Sequence, residues 1–155
     1  MLLINTIKQN TKACCHLKSR SFPLSLRDVP SSKIIIDCDK PCSPFSSQET
    51  KCDFLLFVEG TIRGKQNKWA VPIEKKGNLA GQEIDKAIKQ LQSGADKIDN
   101  LIGSGFTGKL IPILVFNGRS HKAQRGKLRK KICFQNNKLA IEACRYKSRI
   151  ADHLK

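Results

Sequence analysis

Asp53 and the triplet Glu74-Lys75-Lys76 are the residues of this chain whose types and spacing best suit chemistry, with twenty residues between the first acid and the second. Both stand at the end of an apolar run. Asp53 leads into Phe54-Leu55-Leu56-Phe57-Val58, and Glu74 follows Trp69-Ala70-Val71-Pro72-Ile73. Such runs read as strands covered on both faces, so charges at their ends mark one rim of a sheet. Side chains alternate along a strand; Glu74 and Lys76 therefore share one face while Lys75 projects from the other. If the two strands pair, Asp53 joins them. Two carboxylates held together bind a hard divalent cation through oxygen, and an ammonium beside them stabilises a developing anion or positions a water.

The elements around these residues follow from periodicity. Strands are expected over 33–38, 52–59, 68–76 and 109–116, with 61–67 as the hairpin connection between the middle two. Pro72 cannot donate to a ladder, so a bulge is expected there. From Leu79 to Gly103 the apolar residues Ile84, Ala87, Ile88, Leu91, Ala95, Ile98, Leu101 and Ile102 recur at spacings of three and four, which predicts a long helix. A strand, a helix and a further strand imply a crossover with parallel pairing. Residues 132–135 and 138–143 flank Asn136-Asn137 as a hairpin, and a short helical pattern resumes from Tyr146. Leu2, Leu3, Ile4 and Ile7 suggest a first helix within a basic arm over 1–30. The fold class is α/β: one domain with a central mixed sheet flanked by helices, its core at 33–118.

Twenty-nine Lys and Arg against thirteen Asp and Glu leave a formal charge of +16, which suits a polyanionic partner, nucleic acid first. The cations concentrate in 119–131, where Arg119, Lys122, Arg125, Lys127, Arg129, Lys130 and Lys131 stand without an acid. Seven cations so close repel one another unless an anion is near, so this segment is expected to bind backbone phosphate. Seven cysteines, an odd number with no secretory segment at the start, favour a reducing, cytoplasmic setting with mostly free thiols. Cys14, Cys15, His16, Cys38, Cys42 and Cys52 could gather round zinc, but no Cys-x-x-Cys pair supports it. The first 27 residues are basic and free of acids, which suits a transit peptide less well than a plain basic arm. No apolar stretch approaches the ~20 residues of a membrane helix. No Gly-x-Ser-x-Gly, Walker loop or dinucleotide fingerprint occurs, and His121 and His153 lie in basic or terminal segments. Gly103-Ser104-Gly105-Phe106-Thr107-Gly108 follows a helix and precedes a strand, the wrong order for a phosphate cradle.

Asp53, then Glu74-x-Lys76 on the next strand, then a helix containing Gln90-Leu91-Gln92 and a further strand, resembles the PD-(D/E)XK nuclease superfamily, the restriction-endonuclease-like fold. The resemblance covers roughly residues 33–118. It implies a Mg2+ or Mn2+ ion held by Asp53, Glu74 and the backbone carbonyl of Lys75, with Lys76 at the scissile phosphate. It further implies that Gln90, or secondly Gln92, supports the site from the helix. Cys52 stands where the superfamily often has proline, and the first helix offers no glutamate; Glu49, Asp37 or Asp39 is left to supply a further acid. The expected function is a metal-dependent nuclease acting on DNA, in a form that often works as a homodimer. The alternatives are a non-catalytic nucleic-acid-binding protein on a degenerate nuclease fold and a basic ribonucleoprotein component.

Overall fold

The computed structural model describes residues 2–17, 22–119, 126–129 and 131–155. Helix α1 (Leu3–Asn10) precedes β1 (Lys33–Asp37), β2 (Phe54–Ile62) and β3 (Lys65–Lys76), and α2 (Gly81–Ile102) follows them. Next come β4 (Lys109–Leu110), β5 (Ile113–Phe116), β6 (Ile132–Phe134), β7 (Asn137–Leu139) and β8 (Glu142–Arg145). The main sheet is mixed, in the order β1-β2-β3-β5-β8, with β4 beside β3. β1, β2 and β3 pair antiparallel, whereas β3, β5 and β8 are parallel, the pairing expected of an α2 crossover.

The hairpin joining β2 to β3 is tighter than expected. Both strands run on through 61–67 until Ile62 faces Lys65, and only Arg63 and Gly64 turn. Their φ values of 50° and 76° are those of a two-residue turn whose twist matches the strands.

Pro72 makes no bulge. The β2–β3 register is unbroken from Phe54↔Ile73 to Ile62↔Lys65, with Leu55 opposite Pro72. The reason is direction. The Ala70 carbonyl accepts from Ile111 N on the β4 side, and by alternation Pro72 faces that same side, away from β2. There the expected strand 109–116 is itself interrupted between Leu110 and Ile113, at Ile111-Pro112. The offset between the strands is the same on both sides of this break, so Pro72 leaves out a single bond of the β4–β5 ladder while the pairing with β2 stays whole.

Two cores sandwich the sheet. Leu55, Phe57, Leu114 and Phe116 pack against α1 and α2 on one face; Leu56, Val71, Ile73 and Val115 pack with Phe22, Leu24, Ile150 and Leu154 on the other. The α2 stripe buries Ile84, Ala87, Leu91, Ala95, Ile98 and Leu101 as its spacing predicts. Gly94 lets the helix lie close: a Cβ there would stand 2.7 Å from Cys52 Sγ and 2.8 Å from Pro72 Cβ. Near the C-terminus the turn residues are Gln135 and Asn136, both at positive φ, one position earlier than expected. The expected strand over 138–143 divides between β7, in this hairpin, and β8, in the main sheet. Five cysteines are free, and Cys14 is bonded to Cys42. Among the described residues no helix is long and apolar enough to cross a membrane.

Candidate active site

The two carboxylates meet where β2 begins. The register opens with Phe54 facing Ile73; Asp53, just ahead of it and out of that register, brings its carboxyl to that of Glu74, which lies on the sheet face that α2 covers. Asp53 lies just ahead of β2 but stays tied into the sheet: its N–H donates to Ile73 O at 3.0 Å and its carbonyl accepts from Cys38 N at 3.0 Å. Lys75 N donates to Asp53 Oδ2 at 2.8 Å. The carbonyl of Lys75 shares that edge of β3, beside the carboxylates. Lys76 Nζ stands 3.9 Å from Glu74 Oε2 and 3.7 Å from Glu83 Oε2, in the first turn of α2.

Glu74 is the buried member, 1% exposed. Burial pushes its carboxyl up to about 10, helped by a hydrogen bond with Asp53 and by that residue's charge, and opposed by Lys76. Its Oε2 has no hydrogen-bond partner. A buried carboxylate oxygen without a hydrogen bond, beside a second carboxylate and a main-chain carbonyl, is an all-oxygen donor set, the kind that hard Mg2+ and Mn2+ take. Among the described residues no three His, Cys, Asp or Glu side chains gather for a metal. The oxygen donors at this place are the two carboxylates and the Lys75 carbonyl.

The chain matches no family model, no curated protein and no solved structure.

The other expected site residues divide. Gln90 lies close, half-buried, with Nε2 donating to Lys51 O at 3.3 Å, two residues ahead of Asp53, and its Oε1 without a partner. Gln92 does not serve the site. Its amide spans the Cys133 backbone, accepting from Cys133 N and donating to Cys133 O, each at 2.9 Å, so it docks β6 on α2. Glu49 pairs with Lys97 at 3.1 Å, and Asp39 with Lys51 at 3.6 Å. Asp37 lies opposite Phe54, on the far face from Glu74. The acid that joins is Glu83, recognisable in the sequence only as the first acid of the predicted helix. Of the cysteines considered for zinc, Cys14 and Cys42 are consumed by their disulfide, Cys15, Cys38 and Cys52 are buried, and His16 Nε2 meets Thr11 Oγ1 at 2.9 Å.

In the basic segment Arg119, Lys127, Arg129 and Lys131 are exposed, while Lys122, Arg125 and Lys130 lie outside the described residues. Register sets Lys76, Phe116 and Arg145 side by side across β3, β5 and β8. Beyond Phe116 a cleft of about 290 Å³ is lined by Leu128, Arg129, Ile141 and Arg145. Arg145 thus stands about two strand spacings, ~10 Å along the sheet, from Lys76, on the face of the carboxylates, and Arg129 shares its cleft.

Proposed function

We propose that this chain is a metal-dependent nuclease with a restriction-endonuclease-like core, hydrolysing phosphodiester bonds of DNA. One observation carries the reading: Glu74, buried and with Oε2 lacking a hydrogen bond, meets the Asp53 carboxyl and stands 3.9 Å from the Lys76 ammonium. The element order supports it, since a helix, an antiparallel three-strand meander, a crossover helix and a parallel strand follow one another from α1 to β5.

Asp53, Glu74 and the Lys75 carbonyl would hold Mg2+ or Mn2+, which supplies a Lewis acid for the phosphate and a water of lowered pKa. The chain's own residues do the rest. Glu74 gives up its proton when the site is loaded, so loading favours higher pH. Lys76, restrained between Glu74 and Glu83, presents an ammonium where charge develops on the phosphate. Gln90 holds the strand entering Asp53 through Lys51. Arg129 and Arg145 line the path of the flanking backbone, and the remaining cations of 119–131 contact phosphates further off. A homodimer supplies two such sites for the two strands of a duplex.

The test is incubation of the purified protein, with Mg2+ or Mn2+, with supercoiled, linear, single-stranded and branched DNA and with RNA. Cleavage that needs the cation and disappears in Glu74→Gln supports the reading. Every substrate left intact removes it, and binding without cleavage favours a non-catalytic nucleic-acid-binding protein.

A further inference from the structure

The turn after β8 displays an aromatic ring among cations. Tyr146 is 37% exposed and, with Leu2, is one of two large apolar side chains in the open among the described residues. Lys75 Nζ lies 4.9 Å from its ring centroid and Lys147 Nζ 5.6 Å. Three main-chain bonds pin the turn: Tyr146 N to Phe116 O at 3.1 Å, Lys147 N to Pro23 O at 2.7 Å and Ser148 N to Arg145 O at 3.1 Å. Lys147 sits at φ 66°, where glycine is ordinarily favoured. A long cationic side chain is thus held in a costly backbone conformation by an over-determined turn, an arrangement found where a side chain has work to do. No acid occurs over 143–151.

We infer that Tyr146, with Lys75 and Lys147, is a stacking platform for an unpaired nucleotide of a single-stranded DNA segment at the rim of the proposed nuclease site. It shares the nucleic-acid side of that reading and needs no cleavage. Lys75 links the two places, since its N–H holds Asp53 while its side chain reaches round to the opposite face and Tyr146. The lysines do not block the ring. An ammonium over an exposed ring is worth a factor of about 2–5 in equilibrium, whereas a stacked base is worth about 5–150. A nucleotide therefore displaces them: the base takes the ring and the phosphates take the ammonium groups.

The experiment measures affinity in EDTA, where cleavage is silent, for an oligothymidylate and for an abasic strand of equal length and charge. Tyr146→Ala should weaken oligothymidylate binding about 5- to 150-fold, leave the abasic strand and duplex DNA unchanged, and keep the thermal midpoint. Tyr146→Trp should retain the affinity, with its added indole quenched on binding. Equal losses on thymidylate and abasic strands, or no loss on either, overturn the platform. A base-dependent loss in a protein that cuts nothing leaves the platform standing and removes only the nuclease reading.

Discussion

Glu74→Gln should abolish cleavage and stabilise the protein, and the gain should grow with pH. The folded-state carboxyl is pushed up to about 10, chiefly by burial, while in the unfolded chain a glutamate ionises near pH ~4.3. Between these values the native state keeps a proton that the unfolded state has released, so stability falls as pH rises, by about 1.4 kcal/mol per pH unit. From pH ~4.5 to pH 7 that sums to about 3 kcal/mol. Glutamine is neutral in both states and escapes this loss. Its Nε2 can donate to Asp53 while Oε1 faces Lys76, reproducing the protonated carboxyl. At roughly 2–4 °C per kcal/mol for a chain of this size, the variant should melt about 6–12 °C above wild type at pH 7 and close to it at pH 4.5. The assay is thermal denaturation followed by circular dichroism in EDTA. A gain no larger at pH 7 than at pH 4.5 refutes a protonated, buried Glu74. So does a loss of stability.

Asp53→Asn and Lys76→Ala should each lower single-turnover cleavage by orders of magnitude while filter binding to DNA survives, rising for Asp53→Asn as a repelling charge leaves the phosphate. Neutralising Arg125, Lys127, Arg129 and Lys130 should do the opposite, weakening binding to every sequence and flattening its salt dependence by up to about 0.9 log–log units per lost contact on duplex DNA. Full affinity and slope in that variant reduce the segment to a solvated loop. Gly94→Ala should cost about 1–3 kcal/mol in urea denaturation, because its Cβ meets Cys52 Sγ and the rigid Pro72 ring at 2.7 and 2.8 Å; unchanged stability means that α2 can shift away from β3.

The helix and the carboxylate pair were legible because each rests on a local pattern. The α2 stripe needs only its own period, and Asp53 and Glu74 stand out as charges bounding two apolar runs that pair antiparallel. What escaped depends on neighbours distant in sequence. The cost of Pro72 depends on which strand its missing N–H faces, and only the assembled sheet shows that it faces away from β2, whose pairing it leaves whole. Gln92 has the same polar, helical surroundings in sequence as Gln90; β6, forty residues on, separates their roles. Glu59 reads as a strand acid but is buried, and accepts from Leu3 N at 3.0 Å and Ile4 N at 3.2 Å, holding the start of α1. The Cys14–Cys42 bond likewise joins segments that no local pattern relates.

Crystals soaked in Mn2+ and measured at the manganese absorption edge decide whether Asp53 and Glu74 hold a metal. An anomalous peak is expected within coordination distance of Asp53, Glu74 and the Lys75 carbonyl, absent from Asp53→Asn crystals soaked alike. A well-soaked crystal with no peak there, or with manganese bound only elsewhere, contradicts a metal site at these residues.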